Sequence, residues 1–359
     1  MAASGLDSFT DAPETRSRRA RSSEPAMPER LERRRRDGRS GTRGKKRMTK
    51  RKKIVLGVVI AVAVLALAAG AYTFFLMRNA DKNMALDAKE REKLNAALVA
   101  ADENKPYYIL VVGSDTRVTG QAARSDTIML CRMDPPNKRA SILSIPRDTR
   151  IELPGHGTAK INAALAYGGP SGAVKAVSDF AGVPIAHYVE IDFEGFKSIV
   201  DSLGGVTVKV PAAASYQGVS IQPGTQTLDG THALVFVRAR KSYALGDFQR
   251  AANQRVFLKA VAKKVLKAPP TKIPGLLTSM SKCVGSDLSS TQMVSMAMKF
   301  RSMNTDTDIY SGQVPSKTAN INGVSYVLPI ESQWSDVRTK FTTGVVPFVT
   351  KENQPAVKE

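Results

Sequence analysis

Cysteine and histidine are nearly absent: the chain has two of the first and three of the second in 359 residues. Cys131 and Cys283 belong to no CxxC or Cys/His cluster, which argues against a structural zinc. A disulfide between them and a buried free thiol at Cys131, which ends an apolar run, are both open at this point. His156, His187 and His232 are scattered, and His187 beside Tyr188 reads as strand packing. Ser114 has no evident base, so neither a histidine-based site nor a serine nucleophile follows. A Gly-rich P-loop and a GxGxxG fingerprint are also missing, which excludes the common nucleotide pockets.

Charge, by contrast, is plentiful and uneven. The formal net charge is +21, and the first 53 residues hold 18 Lys+Arg against 7 Asp+Glu. The other 306 hold 35 against 25, so an anionic partner for the remainder stays in view. Residues 1–53 are poor in bulky apolar side chains and read as a disordered basic tail. Without aromatic interleaving or a helix-turn-helix pattern, that tail suits an anionic membrane surface rather than nucleic acid. Residues 54–77 form an uncharged run of 24. As a helix it reaches roughly 36 Å, enough to cross the ~30 Å hydrocarbon core. Lys50 to Lys53 precede it, so the positive-inside rule places the N-terminus in the cytoplasm and the rest outside a cell membrane crossed once. Residues 78–105 then read as a juxtamembrane stalk, 106–335 as a folded extracellular domain and 336–359 as a polar tail.

Within the folded part, short apolar runs alternate with amphipathic stretches. Tyr107–Val112, Thr127–Cys131, Ala140–Ile145, His187–Ile191, Val206–Val210 and Leu234–Arg238 are predicted strands. Ser171–Ala181, Phe193–Leu203, Asp247–Leu266 and Thr291–Phe300 are predicted helices. The alternation implies an α/β class: a mixed central sheet flanked by helices, α/β/α, preceded by one transmembrane helix.

Arginines and aspartates recur in the loops beside those apolar runs, where a merely solubilising charge has no need to be. Asp115 follows the first strand, and ligands in α/β sheets lie beyond such strand ends. Arg124 and Asp126 stand two apart before the next strand, and Arg147 follows Pro146 at a strand end. Arg238 and Arg240, read as neighbours on one strand face, repel each other unless an anion lies between them. Asp247, Arg250 and Gln254 share one helical face, with an N-cap as a compatible role for Asp247. Asp148 reads as a salt-bridge acceptor or cap. Five arginines and three aspartates, with one divalent cation, leave about +4 to be met by a diphosphate. Paired carboxylates at Asp115 and Asp126 suit magnesium, or manganese, bridged to phosphate oxygens.

The phrases ILVVGSDTR, RSDTIML, ILSIPRDTR, KINAALAYGGP, HYVEIDFEGF, LVFVRARK and GDFQR, in this order from Tyr107 to about Lys264, resemble the LytR-CpsA-Psr family of cell-envelope phosphotransferases. The resemblance implies an α/β/α domain whose apolar cleft holds a polyprenyl chain and whose charged mouth binds its diphosphate through magnesium. It implies transfer of a glycopolymer, such as teichoic acid, from a polyprenyl-diphosphate carrier to peptidoglycan through a phosphodiester. Asp115 and Asp126 would be the metal carboxylates. Arg124, Arg147, Arg238, Arg240 and Arg250 would form the diphosphate clamp, with Gln254 beside them and Asp247 to orient or deprotonate the acceptor hydroxyl. One position departs from the pattern: Asn253 stands before Gln254 where the family commonly has arginine, leaving the share of Arg255 open. A polyprenyl-diphosphate pyrophosphatase, a non-catalytic binder of lipid-linked glycan and a transcription regulator are the rival functions; the last requires the domain to face the cytoplasm.

Overall fold

The computed structural model describes residues 50–114 and 124–350, with side-chain burial from Val58 onward. Asp115 and residues 1–49 lie outside the described residues. The described chain opens with a long helix, α1 (Lys50–Met84), and a short one, α2 (Ala88–Ala97). β1 (Tyr107–Ser114), β2 (Ser125–Asp134) and β3 (Arg139–Ser144) then form an antiparallel meander. The hairpin β4 (Arg150–Leu153) and β5 (Gly157–Lys160) leads into α3 (Ala163–Ala181), and β6 (His187–Asp192) returns parallel to β1. Next come α4 (Phe193–Ser202), β7 (Val206–Val210), β8 (Ala214–Tyr216), β9 (Val219–Ile221) and β10 (Gly224–Leu228). α5 (Gly230–Arg238), α6 (Gly246–Lys267), α7 (Ile273–Met280), β11 (Val284–Ser286) and α8 (Ser290–Lys299) follow. The chain closes with β12 (Ile309–Gln313), the hairpin β13 (Ser316–Ile321) and β14 (Val324–Pro329), and α9 (Glu331–Thr343).

Six of the strands make one mixed sheet in the order β11-β6-β1-β2-β3-β12. Strand alternation sends successive side chains to opposite faces. Tyr108, Leu110 and Val112 pack with Val174 and Val177 of α3 and Phe341 of α9. Tyr107, Ile109 and Met129 face the other way, toward Leu258 of α6 and Phe300 after α8. Helices thus cover both faces of the sheet, as the α/β/α expectation requires. A third cluster joins α4, α5 and the β7–β10 sheet, and it buries Phe236 and Phe257.

Four expectations need correction. Leu234–Arg238 is the end of helix α5, not a strand: Asp229 caps it by accepting from the His232 amide at 2.9 Å. A short run that is apolar on every side does not distinguish a strand from a wholly buried helix. α3 begins at Ala163, before Ser171, because a kink at Gly169 (φ 60°) and Pro170 joins two helical pieces. The segment read as a stalk is helical but packed, since Met84 and Leu94 are buried in the domain. Residues 336–350 are folded rather than tail-like, for Val337, Phe341 and Phe348 are fully buried. The i, i+4 spacing of Val337 and Phe341, with Trp334 three residues before Val337, was the available signal. Cys131, meanwhile, is a buried free thiol, and burial pushes it up to about 12.

Val58–Met84 is one helix long and apolar enough to cross a membrane. Its last turns are docked: Thr278 donates to the Leu76 carbonyl at 3.3 Å, and the Ser290 amide donates to Asp81 at 2.5 Å.

Candidate functional site

The loops at one end of the sheet bring Asp126, Arg147, Arg238, Arg240, Asp247 and Arg250 into one network. Asp126 lies at the start of β2 and receives Arg147 Nη1 on Oδ1 at 2.5 Å. Its Oδ2 faces Arg238 Nη2 at 3.5 Å. Asp247 gathers the rest: Arg250 Nη2 at 3.3 Å, Arg240 Nη1 at 3.7 Å and Arg147 Nε at 3.8 Å. Asp247 sits in the first turn of α6, and the N-cap itself is Leu245. Arg124 stands exposed immediately before β2.

Each position has a local cause. Pro146 ends the β3 ladder, and Asn162 donates its amide to the Arg147 carbonyl at 3.1 Å, which fixes that loop against the start of α3. Arg238 is the last residue of α5, and Gln254 holds that end by donating to the Val237 carbonyl at 3.1 Å. The Arg238 guanidinium also lies over the Tyr216 ring at 5.2 Å. Arg238 and Arg240 are therefore set by a helix end and the coil after it, not by a strand face. Asn253 and Arg255 are both buried; Asn253 donates to the Phe236 carbonyl at 3.2 Å and Arg255 to Gln313 at 3.4 Å. Lys160, which sequence reasoning passed over within KINAA, enters through Asp148, whose Oδ1 it meets at 2.9 Å. Asp148 is thus the salt-bridge acceptor it was read to be.

Electrostatically the network is short of anions. The four guanidinium groups and Lys160 share Asp126, Asp148 and Asp247, an excess of two positive charges. Burial opposes the charge on Arg147, but Asp126, Asp148 and Asp247 outweigh it and raise its pKa. Arg250 is the reverse case: burial, with Arg147 and Arg240 adding to it, lowers its pKa despite Asp247 and Asp126. A bound polyanion removes that deficit.

For a metal, Asp126 is the carboxylate at hand. No group of three His, Cys, Asp or Glu that could hold a cation occurs among the described residues, and Asp115 lies outside them. Each Asp126 oxygen accepts from one arginine and keeps a second acceptor site. The donor set is hard oxygen without thiol or imidazole, which fits magnesium held mainly by phosphate oxygens and water. Ser114, for its part, is fully buried and donates to Glu190 at 2.5 Å.

Two cavities flank the network. One, of about 220 Å³, lies between the sheet and α4–α7, walled by Val111, Met129, Ile199, Phe257, Val261 and Met280. Thr127 and Gln254 mark its end toward the arginines. The other, of about 210 Å³, is bounded by Asp126, Arg147, Asp247 and Arg250 on one side and polar residues of β3 and the β13–β14 hairpin on the other. Sequence pattern alone could not separate cavity-lining from core positions, since both are apolar strand and helix faces.

Comparison with known proteins agrees with this geometry. The chain is 30% identical over 296 residues to a polyisoprenyl-teichoic acid–peptidoglycan teichoic acid transferase, TagU, of Bacillus subtilis, covering 81% of this chain and 96% of that one. A counterpart of the same name from Halalkalibacterium halodurans is 32% identical over 285 residues, covering 78% and 93%. Among solved structures, B. subtilis TagV aligns with TM-score 0.62 and 29% identity over 68% of this chain and 98% of that one. A structure described as TagT bound to LIIa-WTA aligns with TM-score 0.58 and 28% identity, covering 67% and 91%. The LytR_cpsA_psr family pattern spans residues 71–343, most of the described fold and every described member of the arginine network, and the chain belongs to that family.

Proposed function

We propose that the protein transfers a glycopolymer from a polyprenyl-diphosphate carrier to peptidoglycan at the outer face of a cell membrane. The observation that carries this is the arginine network with an apolar cavity opening beneath it. Such a pairing fits a diphosphate with a hydrocarbon tail and fits few other ligands. Membership of a family whose named relatives are teichoic acid transferases supports the same reading. The cavity runs from Thr127 and Gln254 toward Met280 at the end of α7, the helix that contacts the membrane-crossing α1 through Thr278. A polyprenyl tail leaving the network thereby heads for the membrane end of the domain.

In the reaction, an acceptor hydroxyl oxygen bonds to the glycopolymer-side phosphorus, and the bond from that phosphorus to the bridging oxygen breaks. Polyprenyl phosphate leaves, and the acceptor proton passes to the Asp247 carboxylate. Arg250 and Arg147 hold the transferred phosphoryl oxygens, while Arg238 and Arg240 hold the leaving phosphate. Charge spreads over these oxygens in the transition state, so aligned guanidinium groups do most of the work. Magnesium, held by Asp126 with Asp115, would neutralise further charge on the diphosphate. Asp247 receives the proton at Oδ1 or Oδ2.

The test uses the detergent-solubilised full chain with a polyprenyl-diphosphate oligosaccharide, magnesium and peptidoglycan oligomers. Arg250→Ala is expected to lower transfer by about 10²- to 10³-fold, as for loss of one transition-state donor. Transfer at the wild-type rate in Arg250→Ala and Asp126→Ala together would remove the network from the reaction.

A further inference from the structure

The second cavity shares Asp126, Arg147, Asp247 and Arg250 with that scheme, but its far wall carries polar side chains where the first cavity is apolar. Thr127 and Gln254 line both, so the two cavities lie back to back across the arginine network. One wall set is aliphatic and aromatic. The other contains Ser144, Gln313, Thr318 and Ser325. Ser144 is 3% exposed, and its Oγ has no hydrogen-bond partner. Arg147 Nε is likewise buried without a hydrogen bond. Buried polar atoms in this condition cost free energy unless something polar meets them. The pocket opens at the hairpin, where Thr318 and Ser325 are exposed. Its wall is tied to the Arg147 loop, for the Val327 amide donates to the Asp148 carbonyl at 2.9 Å.

We infer that this pocket, between Asp247 and the β13–β14 hairpin, is the acceptor subsite and takes one hydroxylated sugar residue of a glycan strand. The inference rests on the transferase reading and deepens it. In-line displacement needs the incoming and departing oxygens on opposite sides of the phosphorus. With the hydrocarbon tail in the apolar cavity, the acceptor enters from the polar one, where Asp247 forms part of the wall. A volume of about 210 Å³ equals the share of about seven waters, close to that of one pyranose ring. The hydroxyl and amide groups on the hairpin side suit sugar hydroxyls and an N-acetyl group, while Arg147 and Arg250 on the opposite side face the phosphate.

Two variants test it. Ser325→Trp blocks the mouth from an exposed strand position, and Ser144→Val removes the unpartnered hydroxyl. Each is expected to raise the KM for a soluble, uncross-linked peptidoglycan tetrasaccharide by about tenfold or more, as for lost pocket contacts. The Kd for the polyprenyl-diphosphate donor is expected to stay at its wild-type value. An unchanged acceptor KM in Ser325→Trp, or an equal loss of donor affinity, overturns the assignment. Direct binding of the tetrasaccharide to the full chain separates the two readings. If the wild type binds it but makes no adduct, and Ser325→Trp does not bind, the pocket stands and the transferase reading falls. If the wild type makes adduct while both variants bind and react normally, the transferase reading stands and the pocket falls.

Discussion

Arg250 carries its charge in a place that disfavours it: its side chain is 13% exposed, and Arg147 and Arg240 stand nearby. A diphosphate relieves that repulsion, so ligand binding and stability are linked. Inorganic pyrophosphate with magnesium is expected to raise the melting temperature of the wild type, and Arg250→Ala to abolish the rise; differential scanning fluorimetry reads both. Asp247→Asn keeps the shape and removes the proton acceptor. It should lower kcat by about 10²- to 10⁴-fold, with donor Kd little changed. At this scale the sequence was informative because an arginine beside an apolar run has few structural uses. Arg147, Arg238 and Arg250 could be singled out that way. Lys160 could not, since its partner Asp148 is brought to it by the β4–β5 hairpin rather than by spacing.

At the level of elements, β2 carries a buried ion pair that packs against the end of α9. Arg132 Nη1 meets Asp134 Oδ2 at 2.9 Å, with both side chains under a tenth exposed. The same guanidinium lies where a Cβ on Gly344, the left-handed cap of α9, would fall, 2.6 Å from Nη2. Asp134→Ala leaves the arginine buried alone and is expected to cost about 3–5 kcal/mol in urea unfolding. Burial opposes ionisation of Asp134, but Arg132 and Asn137 outweigh it and hold its pKa below the ordinary 3.8. A depressed carboxyl gives stability that is full above 3.8 and lost as pH falls through the folded value. The wild type should therefore lose this contribution below pH 3.8, and Asp134→Asn should flatten that part of the curve. The sheet strands were legible because they alternate or run apolar for the length of a strand. Helix α5 was not, because a helix buried all round shows no 3.6-residue period. The kink in α3 was written in Gly169 and Pro170 but masked the helix before it.

For the whole molecule, three layers hold the charged network at one end of the sheet and dock the long apolar helix α1 through Asp81 and Met77. The proposed orientation makes a simple demand. On spheroplasts, added protease should digest the folded domain while leaving residues 1–53 protected; digestion only after lysis would place the domain inside. Overall class was readable from the order of strands and helices alone. The cavities were not, since whether a valine lines a groove or fills a core depends on what packs against it. Val111 and Val112, adjacent in sequence, both border the apolar cavity, yet Val112 also packs into the α3-side core.

The most direct measurement follows both products of one turnover by mass spectrometry, with full-length protein, polyprenyl-diphosphate oligosaccharide, magnesium and peptidoglycan oligomers. Polyprenyl monophosphate and a peptidoglycan adduct carrying a single bridging phosphate should appear in equal amounts. Release of polyprenyl monophosphate with free glycosyl phosphate and no adduct, or donor bound without turnover, would contradict transfer to peptidoglycan.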